Sequence, residues 1–300
     1  MKYTINRIIH RLKEDGVLKV LSLILKFLIK GKSKIDLDNI HIEYSSLDDI
    51  FLMFGTDKGK FDGKKTYYKI SKNFETRKKF KNYREWILRK NRDYYEYEMG
   101  LNYSSVYEKI FEPIKNDKLN ILEIGVAGGH SHASWYKFFK NSQIFGIDIR
   151  PEKDFLYNGK RLKYFQVDCT NQREVEKFTS RQIEFDIIID DSLHEYKGFI
   201  SNLINFFPLL KSGGYYFLED FLHKDKALVE KRNFNYENGK KLRDNDMTMD
   251  EIFKSLIDKK YFDNIYFDKI SQEYFHNNSF NIELFYPGHP FASLCLMRKK

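Results

Sequence analysis

The chain has 300 residues, 42% of them hydrophobic, a formal net charge of +9 and two cysteines. This length admits one large domain, or one domain with an appendage, and the hydrophobic share suffices for a sizeable core. The two cysteines, Cys169 and Cys295, exclude a disulfide framework and a zinc motif and fit a reducing compartment. No cleavage pattern of a signal peptide follows the apolar stretch near the start, so a cytoplasmic location is expected. The charge is uneven: residues 1–34 carry nine Lys/Arg against two acids and residues 58–93 fourteen against four, whereas residues 35–57 carry six acids and no base. The rest is slightly acidic. Basic patches raise nucleic acid as a partner, but a lysine-rich solvated surface accounts for them at least as well, and nucleic acid is not the expected partner.

In chain order, residues 5–30 read as one or two basic amphipathic helices, with Ile8, Ile9, Leu12, Val17, Leu21, Ile24, Leu25 and Leu28 at helical spacing. Lys19 and Lys26 interrupt the apolar run, which is shorter than the ~20 residues of a membrane span. Peripheral contact with an anionic membrane, at its inner face, and packing on a partner subunit or on the core are the alternatives. A polar linker follows at 31–46. Residues 102–111 predict a helix leading into the first core strand. Strands are predicted near 119–124, 143–148, 162–167, 185–190 and 214–219, with helices near 130–140, 171–180 and 196–211. Such alternation implies an α/β, doubly wound, mostly parallel seven-stranded sheet with helices on both faces. Residues 223–246 read as a charged loop, 248–258 as a helix, and 265–270 and 292–298 as the last strands. The organisation expected is a helical extension (1–34), a substrate or oligomerisation region (35–110) and a ligand-binding α/β domain (111–300).

Ile121-Leu-Glu-Ile-Gly-Val-Ala-Gly-Gly-His130 reads as a buried strand running through a glycine turn into a helix. Gly125, Gly128 and Gly129 allow a sharp turn and close approach of a ligand, and the N–H groups there favour polar or anionic groups. Glu123, just before the turn, would repel a pyrophosphate but suits a cationic or hydroxyl-rich ligand. The spacing G-x-x-G-G is also not the dinucleotide fingerprint. Asp148 ends the next strand, about 20 residues beyond the turn, where a doubly wound fold places a ribose-binding carboxylate.

Glu123, Asp148 and Asp168, in that order after three predicted strands, resemble the cofactor site of class I S-adenosylmethionine-dependent methyltransferases. The resemblance implies that Glu123 and the turn lie near the methionine part, Asp148 on the ribose hydroxyls and Asp168 near the adenine, with Asp190 completing the cofactor set.

Two further strands end in acid pairs, Asp190-Asp191 and Glu219-Asp220, the first followed by His194. Neighbouring strands lie about 5 Å apart, so these carboxylates would crowd one region and call for neutralisation. A hard divalent cation with oxygen ligands, by default Mg²⁺, would supply it. A metal can also acidify a sugar or alcohol hydroxyl, and a histidine can take its proton. Acids capping the next helix and a surface histidine are the plainer alternatives.

Phe54-Gly-Thr-Asp-Lys58, Tyr103…Tyr107-Glu108, Leu122-Glu-Ile-Gly-Val126, Asp190-Asp-Ser-Leu-His194 and Leu218-Glu-Asp220 together resemble the metal-dependent sugar O-methyltransferases of macrolide and bacterial polysaccharide biosynthesis. The likeness spans roughly residues 51–225. It implies Asp191, Glu219 and Asp220 as Mg²⁺ ligands and His194 as general base, with a sugar, nucleotide-sugar or glycan as acceptor. Ser192 and Leu193 depart from the family's Asp-Asp-Gly-Ser-His, and His223 follows the Glu-Asp pair by three positions rather than two, which makes His223 the rival base. Other readings are methylation of a phosphorylated or phenolic compound, and an RNA-binding protein on the same fold, with Tyr67, Tyr68, Tyr83 and Trp86 as stacking groups. A homo-oligomer is compatible with all of them.

Overall fold

The computed structural model describes residues 34–42, 44, 46–60, 100–192, 196–221, 247–287 and 292–300. The readings of residues 5–30, of the stacking aromatics, of His194 and His223 and of the loop 223–246 lie outside them. Among the described residues no helix is long and apolar enough to cross a membrane.

Seven strands form the main sheet: β2 (Asn120–Ile124), β3 (Gln143–Asp148), β5 (Leu162–Gln166), β6 (Phe185–Asp190), β7 (Leu210–Glu219), β8 (Ser279–Phe285) and β9 (Leu294–Lys299), in the order β5-β3-β2-β6-β7-β9-β8. The first five in that order are parallel; β9 runs antiparallel to β7, and β8 to β9. A separate parallel pair joins β1 (Ile35–Asp36) to β4 (Tyr157–Asn158). The helices are α1 (Leu47–Phe54), α2 (Ser104–Phe111), α3 (His130–Phe138), α4 (Gln172–Thr179), α5 (Tyr196–Phe206), α6 (Met249–Ile257) and α7 (Lys269–Asn278).

Five parallel strands and the helices between them fall where hydrophobic patterning predicts. The strand expected at 265–270 does not form. Asp268 instead accepts a hydrogen bond from the Ser271 N–H at 2.7 Å and caps α7, and Ile265 and Ile270 are exposed. The seventh strand is β8, whose alternating Phe280, Ile282 and Leu284 carry the period of a strand.

The sheet separates two cores. Leu122, Ile124, Ile188, Tyr216 and Leu218 pack under α4 to α7 on one face. Ile121, Ile187, Ile189 and Phe217 pack with α1, α2 and α3 on the other. Residues 37–54 and 101–111 thus share one core with the sheet. An aromatic stack docks α2: Tyr107 lies 5.2 Å from Trp135 and 4.9 Å from Phe217, and Phe111 lies 5.2 Å from Phe217. Such burial is a main source of stability, and here it also fixes where the tyrosine hydroxyls end.

Candidate active site

Strand pleating decides which acids meet. Successive side chains in a strand point to opposite faces, so Asp190 and Asp191 part company. Asp190 is fully buried on the α5 face, where Oδ1 accepts from Ser192 (2.7 Å) and Asn202 (3.2 Å) and Oδ2 from Tyr216 (3.0 Å). Glu123 and Glu219 lie in register with the other face, beneath α2 and α3.

The glycine turn is built as expected. Gly125 has φ +87° and donates its N–H to the Ile147 carbonyl at 2.9 Å. A Cβ on it would come within 2.2 Å of the Asp191 carbonyl oxygen, so the turn packs directly on the end of β6. At Gly129, with φ +90°, a Cβ would strike the Phe155 ring. Gly128 is buried between them, and its carbonyl accepts from Leu156. Asp148 is locked at the turn, accepting from the Ala127 N–H at 2.6 Å and the Arg150 N–H at 2.9 Å. Asp168, on the loop after β5, accepts from the Thr170 N–H at 2.9 Å and hydroxyl at 2.7 Å.

Glu123 is fully buried with Oε2 3.2 Å from His132 Nδ1, while its Oε1 has no hydrogen-bond partner among the described residues. Gly146 leaves the room that the His132 ring occupies. A buried carboxylate oxygen without a donor, beside a glycine turn, fits a ligand ammonium. Together with Asp148, these residues suit an amino-acid-bearing nucleoside such as S-adenosylmethionine.

The second half of the site gathers five segments. The Asp191 N–H donates to the Ile124 carbonyl at 2.9 Å, tying the end of β6 to that of β2. Lys58, only 1% exposed, donates to Asp191 Oδ2 at 2.5 Å and also to Glu219 Oε2. Tyr107 donates to the other oxygen of Glu219, Oε1. The Tyr103 hydroxyl bonds Asp220 Oδ1 at 2.6 Å and accepts from the Ser293 N–H at 3.0 Å. Asp220 itself has φ +52°, a left-handed conformation that turns the chain out of β7.

Local structure explains how Lys58 arrives there. Gly55 ends α1 in the left-handed conformation, with φ +75°. The loop beyond it is stitched to the start of α2: Leu101 N–H to Asp57 carbonyl (2.9 Å) and Ser104 N–H to Lys58 carbonyl (3.0 Å). Tyr103 and Tyr107 are four residues apart, hence on one helix face.

Burial works against the charge on Lys58, but Asp191 and Glu219, with Glu123 and Asp57 behind them, outweigh it and raise its pKa well above the ordinary lysine value. Burial raises the Glu219 carboxyl above the ordinary carboxylate range, with Lys58 opposing. Burial and the adjoining carboxylates raise both tyrosines well above their usual value, so each remains a neutral donor.

The structure therefore brings Asp191, Glu219 and the Tyr103-bound Asp220 to the ends of adjacent strands. Among the described residues, however, no group of three His, Cys, Asp or Glu is placed to hold a metal ion. The cation seat between Asp191 and Glu219 is taken by the Lys58 ammonium. Their oxygens are hard donors of the kind Mg²⁺ uses, so the donor chemistry fits while the present arrangement is lysine-bound. Lys58, Tyr103, Tyr107 and His132 are site residues that the sequence reading left without a role. The first three stood within the quoted motifs; His132 carried no signal beyond its helical position.

No protein-family model matches the chain. Among curated proteins, mycinamicin VI 2''-O-methyltransferase of Micromonospora griseorubida is 31% identical over 121 residues, 38% of this chain and 30% of that protein. The 8-demethyl-8-alpha-L-rhamnosyl tetracenomycin-C 2'-O-methyltransferase of Streptomyces olivaceus is 27% identical over 125 residues, 39% of this chain and 32% of that protein. The chain thus spans about a third of the length of these relatives. Among solved structures, the MycE methyltransferase in complex with Mg, SAH and mycinamycin VI superposes with a TM-score of 0.51 at 24% identity, over 66% of this chain and 50% of that one. The fold is that of the class I methyltransferases.

Proposed function

We propose that the chain is an S-adenosylmethionine-dependent O-methyltransferase acting on a sugar hydroxyl, carried by a nucleotide or a glycan. The observation that carries this reading is the contact of two half-sites: the Gly125 turn, with Asp148 and the Glu123 oxygen that has no hydrogen-bond partner among the described residues, packs against the Asp191 end of β6, where the Lys58–Glu219–Tyr107 group begins. Both curated relatives described above are named O-methyltransferases, the second of a rhamnosyl compound, which supports the acceptor class.

S-adenosylmethionine, when bound, supplies a methyl group already activated on a sulfonium. Glu123 would pair with its amino group, Asp148 would accept from the ribose hydroxyls, and Asp168 would stand near the adenine. The acceptor hydroxyl must then lose a proton as its oxygen takes the methyl group. Lys58 is charged, and Tyr103 and Tyr107 are held neutral, so none of the three can accept that proton. The narrower resemblance assigns that task to His194, with His223 as the rival. A divalent cation, held by Asp191, Glu219 and Asp220, would acidify the hydroxyl.

The test is incubation of the purified chain with methyl-labelled S-adenosylmethionine, Mg²⁺ and a panel of nucleotide-sugars and deoxysugar glycosides, with S-adenosylhomocysteine release as the readout. Label is expected in an ether on the sugar. Binding of S-adenosylhomocysteine without transfer to any sugar, but with transfer to a phenol, would replace the acceptor class; absence of binding would overturn the reading.

A further inference from the structure

Lys58 occupies the position that a metal ion would need. Its Nζ bridges one oxygen of Asp191 and one of Glu219, and the second Glu219 oxygen is taken by Tyr107. The bridge is buried: the Lys58 and Glu219 side chains are 2% and 1% exposed, and only Asp191, at 23%, reaches solvent. The backbone of residues 57–59 is fastened to residues 101–104, so the lysine is presented by a fixed loop on a flexible four-carbon stem. The ammonium bonds Asp191 and Glu219, while Tyr107 donates to Glu219 and Tyr103 to Asp220. An ammonium and a divalent ion cannot share the same two oxygens.

We propose that Lys58 is a resident cation that competes with a divalent metal ion for Asp191 and Glu219: its ammonium bridges the two carboxylates while no metal is bound, and withdraws from at least one of them when a metal enters. The inference rests on the metal-assisted form of the function proposed above. It assigns to this chain a weakened, switchable metal affinity, because only molecules with the ammonium withdrawn can take the ion, and apparent affinity falls by that fraction. The lysine also pairs the buried Glu219 carboxylate in the metal-free protein.

The experiment titrates Mn²⁺ into the intact, metal-stripped chain and reads free Mn²⁺ by electron paramagnetic resonance, for the wild type and for Lys58→Met, which keeps the stem and removes the charge. The variant is expected to bind Mn²⁺ at least ten-fold more tightly than the wild type. Equal or weaker binding by a folded variant would overturn the proposal, as would the absence of Mn²⁺ binding from both proteins. Because Lys58→Met can fail to fold, a second measurement uses the wild type alone. Acetic anhydride labelling, quantified at Lys58 by peptide mass spectrometry, should rise several-fold when Mn²⁺ saturates the site. Unchanged labelling with Mn²⁺ bound would show that the ammonium never leaves. Calorimetry with S-adenosylhomocysteine on the same samples separates this inference from the broader one. Cofactor binding without competition sinks only the role of Lys58, whereas competition without cofactor binding sinks the methyltransferase reading.

Discussion

The glycine turn after β2 and the carboxylate group at the ends of β6 and β7 touch each other but are made in opposite ways. The turn is contiguous in sequence and is built from backbone: positive φ at Gly125 and Gly129, N–H groups aimed at Asp148, and a helix starting at once. The carboxylate group is built from side chains that four segments deliver, Lys58, the Tyr103–Tyr107 face of α2, Asp191 and the Glu219–Asp220 pair, with a backbone N–H added by a fifth at Ser293. The difference teaches where each half is fragile. A turn fails when a side chain is added to it; a side-chain cluster fails when one member is removed and leaves its partners buried without mates.

The largest effect should therefore come from the second half. Glu219→Ala leaves the Lys58 ammonium with one carboxylate and Tyr107 with no acceptor, both fully buried. Loss of about 3–5 kcal/mol in urea unfolding is expected, the usual cost of breaking a buried pair from one side. A loss below about 1 kcal/mol would mean that the cluster is solvated. Next comes Gly125→Ala. It forces an alanine to φ +87° and drives its Cβ into the Asp191 carbonyl. We expect a stability loss of about 2–3 kcal/mol, together with loss of S-adenosylhomocysteine binding. If cofactor binding survives while the protein is destabilised, the two halves are less tightly joined than their contact indicates.

The same contrast explains what the sequence discloses. The turn, Asp148 and five parallel strands are legible because their signals are local: glycines beside a hydrophobic run, and a carboxylate at the next strand end. The convergence of Asp191 and Glu219 follows from strand order. The separation of Asp190 from Asp191 follows from the pleat, which a reading of adjacent acids as one cluster overlooks. Lys58 was not legible as a bridging cation, since nothing local says that a loop after α1 inserts an ammonium between carboxylates 133 and 161 residues on. The strand expected at 265–270 fails because a cap at Asp268 outweighs a short apolar run, whereas β8 carried a clear alternation.

A smaller effect belongs to the ligand alone. Asp148→Ala removes the carboxylate that holds the Ala127 and Arg150 N–H groups and would face the ribose. Calorimetry should show S-adenosylmethionine affinity weakened by about 1–3 kcal/mol, with Mn²⁺ binding unchanged. Loss of both would merge the halves into one unit; loss of neither would remove Asp148 from the site.

The smallest effect concerns the residue that staples the two halves. His130 begins α3 directly after the turn, and its Nδ1 lies 2.8 Å from the Phe54 carbonyl at the end of α1, four residues before Lys58. The ring nitrogen donates there, and the Tyr157 hydroxyl stands 3.0 Å away. Burial pushes the imidazole pKa down from 6.5 to about 4, partly offset by that hydrogen bond. A base with a folded-state pKa below its unfolded value is protonated in the unfolded chain first. Between about pH 6.5 and pH 4 the unfolded chain therefore binds the extra proton, and stability falls as pH falls through that window. Each pKa unit corresponds to about 1.4 kcal/mol, and the partial exposure of the residue reduces the total to about 1–2 kcal/mol. Urea unfolding at pH 7 and pH 4.5 should show this loss in the wild type. It should be smaller by that amount in His130→Asn, which titrates nowhere in the window and can still donate toward Phe54. An equal acid loss in both proteins would mean that His130 protonates as readily in the folded chain as in the unfolded one, so that it cannot be buried between the turn and the lysine-bearing loop.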